Sequence, residues 1–259
     1  MKDLDILNTL KELTGAKGVS GDERSASETA LRLLGQYAPD AFADSFGNVT
    51  ALIKCGKPDA GTLMLDAHID QIGLIVTCID KDGFLKVGCC GGADMKIMLA
   101  QSVTVHGDVD IPGVISTLPP HVSSDHSKVP EAGEISVDIG MTKEQAEICI
   151  GTGSPVYFHM PARMLSEDCL SGPALDDRAC FTCILYALEL LKRQGKKPDC
   201  DLIVVGASCE EMRGKGVTGL GYDLQPDLAA AIDVCHAATY DVDPLDGVHP
   251  VGSGPAIAV

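Results

Sequence analysis

No stretch of apolar residues in this 259-residue sequence approaches the roughly 20 needed to cross a bilayer, so a membrane span is not expected. The first thirteen residues mix Lys2, Asp3, Asp5, Lys11 and Glu12 among leucines, which is not the pattern of a signal peptide. Cations are scarce: 20 Lys and Arg stand against 37 Asp and Glu, a formal charge of -17 and a sequence pI near 4.6. Such a surface repels phosphate backbones and anionic lipids, so neither nucleic acid nor membrane is an expected partner, while metal cations are favoured. Internal repeats and low-complexity tracts are missing too. The cysteine count of eleven is odd and many of these residues lie in apolar runs, as with Cys78, Cys149 and Cys183, which reads as reduced thiols in a cytoplasmic protein. Cys180 and Cys183 form a CxxC, but inside an apolar stretch expected to be a buried helix, where cysteine acts as a small hydrophobe.

What is present can bury a sizeable core, with 45% hydrophobic residues and 28 glycines. Leu4, Leu7, Leu10 and Leu13 recur at helical spacing up to Gly15, and Ser20 with Glu23 reads as a capping box opening a second helix. Asn48 to Lys54 and Thr62 to Ala67 read as strands on either side of the turn-rich Gly56-Lys57-Pro58-Asp59. From Gln71 to Arg163 the pattern changes to short β-branched stretches broken by Gly and Pro, with one short helix opened by a capping box at Thr142 and Gln145. After Pro173 come a helix over Ala179 to Gln194 and buried strands over Asp201 to Ala207 and Leu228 to Val234. The expected fold is α/β, with a catalytic part formed by residues 1–71 and 164–259 and a β-rich insert over 72–163.

Acidic and histidine clusters fall at the ends of the core elements. His68-Ile69-Asp70 follows one strand, Asp176-Asp177-Arg178 opens the long helix, Glu210-Glu211 follows the next strand, and Asp233 ends the last. Ligands of open α/β sheets bind outside the carboxyl ends of the strands, so these groups are placed to converge. One His with several carboxylates suits Zn, Mn or Co, among which the ligand chemistry does not choose. Spacing by two puts Asp70 on the same side as His68, where it can accept a hydrogen bond from the imidazole nitrogen that faces away from a metal. Each cluster alone is more often a solvated cap or a satisfied structural group; together they favour a metal site.

These residues strongly resemble metallopeptidase family forty-two, which includes glutamyl aminopeptidases, tetrahedral TET aminopeptidases and proteins once called cellulase M. The matching segments are Ala67 to Gly73, Ala174 to Ala179, Glu210-Glu211 with Gly214-Lys215-Gly216, and Asp233 to Ala237. In the insert, Gly113-Val114-Ile115, Pro119-Pro120-His121 and Asp138-Ile139-Gly140 resemble the family's small assembly domain. The resemblance implies a zinc-peptidase-like α/β/α sandwich with a PDZ-like or barrel-like insert, a homo-oligomer from dimer to dodecamer, and two divalent metal ions per chain. It implies that Asp176 bridges both ions, that His68 and Asp233 complete one site, that Glu211 belongs to the other, and that Glu210 is the general base. It also implies a cis peptide bond between Asp176 and Asp177. The expected reaction is removal of N-terminal residues from peptides. Two departures stand out: Gln71 replaces a usual Glu, and the chain stops at Val259, before the family's final His ligand. The alternatives are a truncated, non-catalytic remnant acting through assembly, and a glycosidase.

Overall fold

The computed structural model describes residues 5–118, 129–167, 169–237, 249–250 and 252–257. The resembling segment Pro119-Pro120-His121 lies outside them.

Two helices come first, α1 (Ile6–Gly15) and α2 (Arg24–Leu34), followed by strands β1 (Phe42–Ala43), β2 (Val49–Ile53) and β3 (Thr62–His68). The chain then enters β4 (Gly73–Ile79), β5 (Leu85–Cys90), the short helix α3 (Met95–Met98), β6 (Ser102–His106), β7 (Asp110–Ser116), β8 (Ser136–Asp138), α4 (Lys143–Cys149) and β9 (Pro155–Phe158). It returns through the hairpin β10 (Arg163–Met164) and β11 (Leu170–Ser171) to α5 (Leu175–Arg193), β12 (Asp201–Ala207), α6 (Lys215–Leu224) and β13 (Leu228–Ala231).

One five-stranded sheet runs in the order β1-β2-β12-β3-β13, with β12 antiparallel to β2 but parallel to β3, and β13 also parallel to β3. All seven residues of β12 are buried because helices cover both its faces. Leu202 and Val204 join a cluster with Leu13 of α1, Leu34 of α2 and Phe181 and Leu185 of α5, whereas Ile203, Val205 and Ala207 pack with Leu220 of α6. This strict alternation is the strand period acting on a sheet with two apolar faces. Burying each such side chain contributes about 1.5–3 kcal/mol.

The β-rich segment closes on itself as a six-stranded barrel, β4-β5-β8-β7-β6-β9, around its own core of Leu74, Val76, Leu85, Val103, Val105 and Val137. The capping box at α4 forms in both directions between Thr142 and Gln145.

Three expectations need correction. The segment expected as a buried strand over Leu228 to Val234 is the shorter β13, and its residues are mostly exposed because β13 lies at the sheet edge, pairing with β3. Ser20 and Glu23 make no capping box for α2: the Ser20 hydroxyl is drawn to Asp70 and the Glu23 carboxylate to Gly21 and Cys209. Finally, all eleven cysteines are free, but Cys78 and Cys183 are exposed, since β4 and α5 each turn one face outward.

Candidate metal centre

Parallel pairing of β3 with β12 sets His68 opposite Ala207, so the segments leaving both strands start side by side. Ile69 N donates to Ala207 O at 2.8 Å, continuing the ladder by one residue. Asp70 follows from β3, Glu210 and Glu211 follow from β12, and Asp233 follows from β13, all beyond the carboxyl ends of parallel strands. The start of α5 brings Asp176 to the same crevice. The Asp176–Asp177 peptide bond is cis, as the resemblance implies, and both residues depart from helical backbone angles.

His68 is buried, and its Nε2 lies 2.9 Å from Asp176 Oδ1 and 3.7 Å from Glu210 Oε2. One ligand atom each from His68, Asp176 and Asp233 falls within 4.8 Å of the others. An imidazole nitrogen and two carboxylates that close together fit a divalent cation, whose charge would relieve the crowding of like charge. The Asp176 and Glu210 side chains are 58% and 41% exposed, so the cluster opens toward solvent. Glu211 lines a cavity together with Asp176.

Asp70 is fully buried, and its carboxylate does more than face the histidine. Oδ1 stands 3.3 Å from His68 Nδ1 and accepts from Glu210 N at 3.0 Å, while Oδ2 accepts from Glu211 N at 3.2 Å and from the Ser20 hydroxyl. One side chain thus fixes the backbone that carries both glutamates. Asp177 Oδ2 accepts from His68 N at 3.2 Å, which ties the start of α5 to the end of β3.

Burial alone would lower the His68 pKa; contact with Asp70 and the charges of Asp177 and Asp176 outweigh it and hold it up at about 10. Burial pushes Asp66 and Asp177 up to about 7. It also raises Glu210 and Glu211, helped in Glu211 by the charge of Asp176. Asp70 goes the other way: despite burial, its bonds from His68, Ser20 and Glu210 N hold it below the usual carboxylate range.

Sequence reasoning missed the supports of this cluster. Arg178 is fully buried and donates to Ile69 O at 2.8 Å, Leu13 O at 2.5 Å and Ala16 O at 2.6 Å, joining α1, the end of β3 and α5. Gly18 is required beside it, because a Cβ there would stand 2.5 Å from Arg178 Nη2. Asn48 Oδ1 accepts from Ser208 N and Oγ, and Glu23 Oε1 accepts from Cys209 N, so the loop to Glu210 is held from both sides. An arginine within an acidic motif was the one visible signal; Asn48 and Glu23 carry none, since their partners are backbone atoms 160 and 186 residues away.

The model of the M42 glutamyl aminopeptidase family matches residues 47–259. The lysyl aminopeptidase of Pyrococcus furiosus is 31% identical over 260 residues, covering 96% of this chain and 72% of the relative. The solved aminopeptidase APDkam598 from Desulfurococcus kamchatkensis superposes with a TM-score of 0.89 at 33% identity, over 97% of this chain and 69% of its own. The Pyrococcus horikoshii TET1 peptidase, described as assembling into a tetrahedron or a large octahedral shell, superposes at 0.78 with 28% identity, over 92% of this chain and 72% of its own. The chain spans between 57% and 74% of the length of six curated relatives, all named as aminopeptidases. With the family's model matched over residues 47–259 and a relative 31% identical along 96% of the chain, the chain belongs to the M42 glutamyl aminopeptidase family of peptidases.

Proposed function

We propose that the chain is a metal-dependent aminopeptidase that removes N-terminal residues from peptides, with Glu210 as general base. The observation that carries it is the His68, Asp176 and Asp233 cluster, with Glu210 Oε2 3.7 Å from the shared histidine nitrogen. His68, Asp176 and Asp233 would hold one divalent ion, and Asp176 with Glu211 would hold a second. Zn, Co and Mn all suit these donors. Bound there, the metal supplies Lewis acidity toward the scissile carbonyl and the attacking water.

The chain's own residues do the rest. Glu210 takes the proton of the attacking water and hands it to the leaving amine. Asp70 orients His68 and, through the Glu210 and Glu211 amides, fixes where both carboxylates begin. The sheet with α1, α2 and α5 on one face and α6 on the other is read as the zinc-peptidase-like α/β/α catalytic part, residues 1–71 and 164–259. Residues 72–163, with the barrel, are read as the part through which copies assemble into a homo-oligomer. Free thiols in every cysteine fit a cytoplasmic setting. Neither the remnant nor the glycosidase alternative is favoured, since the carboxylates gather around one imidazole instead of facing each other across a sugar-binding gap.

Release of N-terminal residues from free and N-acetylated peptides, followed by mass spectrometry before and after chelation, tests the activity. Free peptides alone should be trimmed, and activity should return with Zn, Co or Mn. Glu210→Gln should keep metal content while lowering kcat by about 100-fold or more; unchanged turnover would sink the assigned role. Asp176→Ala should lose metal altogether, and full metal retention would show that this carboxylate is not the shared ligand.

A further inference from the structure

Two of the eleven thiols meet across a strand pair, at the end of β12 farthest from Glu210 and Glu211. The ladder between β2 and β12 is antiparallel and closes with Ile53 opposite Leu202. Side chains carry that line further: Lys54 Nζ donates to Asp201 Oδ2 at 2.8 Å, and Cys55 N donates to Asp201 Oδ1 at 2.9 Å. Two residues past the last pair, the same register sets Cys55 opposite Cys200.

The strand period decides which face they share. Val49, Ala51 and Ile53 of β2, like Leu202 and Val204 of β12, turn toward α1, α2 and α5, and Cys55 and Cys200 are the next positions of those two rows. Cys200 indeed packs against that cluster; it is half-buried, and Cys55 is buried. Directly opposed residues of an antiparallel pair have Cα atoms about 4.5–5.5 Å apart, inside the range of about 4.4–6.8 Å that a disulfide spans.

The surroundings are cationic, which is unusual in a chain of formal charge -17. Lys57 N donates to Cys55 Sγ at 3.3 Å, and a Cβ on Gly56 would stand 3.3 Å from Lys197 Nζ. Lys57 Nζ donates to Asp199 at 2.6 Å; that carboxylate raises the Lys57 pKa, with smaller contributions from Cys55 and Cys200, so both thiols lie near one ammonium. The thiolate is the form of cysteine that attacks an oxidant, and cations nearby favour such an anion.

We propose that Cys55 and Cys200 form a reversible redox pair, free thiols under reducing conditions and a disulfide after exposure to hydrogen peroxide. Cys200, the less buried, attacks a peroxide oxygen and becomes a sulfenic acid, releasing one water. Cys55 then attacks that sulfur: the S–S bond forms, and the sulfenic hydroxyl leaves with the remaining thiol proton as a second water. The peroxide takes two electrons from the two sulfurs, and a dithiol returns them by exchange. The link fastens β2 to β12 and closes a loop that contains the whole barrel. It depends on neither the metal site nor the peptidase reading.

The test compares the full chain after hydrogen peroxide with the chain kept in dithiothreitol. Both are alkylated with N-ethylmaleimide and digested without reduction for peptide mass spectrometry, and Tm is measured on each. Peroxide should protect two of the eleven thiols, yield a cross-linked peptide containing Cys55 and Cys200, and raise Tm by about 4 °C or more, since a long loop is closed. Dithiothreitol should reverse all three changes. Cys200→Ser and Cys55→Ser should each abolish the link and the Tm rise, whereas Cys183→Ser, at an exposed position, should leave both intact. Eleven alkylated thiols after peroxide, or a link between two other cysteines such as Cys180 and Cys183 in its place, would overturn the inference. A Cys55–Cys200 link that leaves Tm unchanged or lower would overturn it equally, because the bond would then form only where the native sheet has opened.

Discussion

At the scale of single residues, the site depends on buried side chains that hold its backbone in place. Arg178, fully buried on α5, donates to three backbone carbonyls from two other segments, the end of α1 and the end of β3, and burial lowers its pKa to about 10, still ionised at neutral pH. Replacing it with Met would take a donor from all three carbonyls, of which Leu13 O keeps the Ala16 N–H at 3.1 Å, and each buried, unmet polar group costs about 1–3 kcal/mol. Arg178→Met should therefore lower unfolding free energy by about 3 kcal/mol or more in a denaturant titration; a loss below about 1 kcal/mol would mean that water replaces the guanidinium. The groups expected from sequence to converge do meet in space, His68, Asp176 and Asp233 most closely, because their positions follow from strand ends. The Asp70 bonds to the Glu210 and Glu211 amides were not legible, since nothing in a sequence records which backbone N–H a carboxylate will find.

Elements were legible where their environment was uniform. β12 matches its expected span residue for residue, because after Asp201 a strand covered on both faces is apolar. β13 was misjudged for the same reason inverted: Leu228-Ala229-Ala230-Ala231 is apolar like a core strand, yet lies at the edge with Leu228 65% exposed. The start of β12 carries a pH dependence of its own. Asp201 accepts from Lys54 Nζ at 2.8 Å and Cys55 N at 2.9 Å across the β2 pairing, and the lysine bond above all holds its carboxyl down at about 2. A carboxyl depressed in the folded state stabilises above its unfolded pKa of 3.8 and loses that contribution as pH falls toward about 2. Asp201→Asn should thus flatten the acid limb of a Tm-against-pH curve between those values; an unaltered slope would assign acid sensitivity to other carboxylates.

For the whole molecule, the sheet and the barrel have separate cores, and the seam between them is small. Val19, Ile75, Cys90 and Tyr157 pack there, the Tyr157 hydroxyl donates to Asp22 at 2.6 Å, and Lys17 reaches Asp110 and His106 of the barrel. Tyr157→Ala should remove most of this apolar contact while leaving both cores filled. Calorimetric unfolding of the variant should then split into two steps, one for each core; a single transition at lower temperature would show that the cores are coupled elsewhere. The composition changes texture at Gln71, and the barrel strands begin at Gly73, but which of the PDZ-like or barrel-like forms the insert takes was decided only by the pairing of β4 with β9.

The barrel's place in the chain has a consequence for how the site comes into being. His68 is made before the barrel and Asp176 after it, 108 residues later, and Asp233 last of all. During synthesis the histidine therefore waits without its carboxylate partners until an entire second core has been threaded between them. Any ion that needs all three cannot be captured by the nascent chain, however much metal is present. On the metal-site reading proposed above, the binding free energy of such an ion would reach only molecules whose long-range contacts are already made.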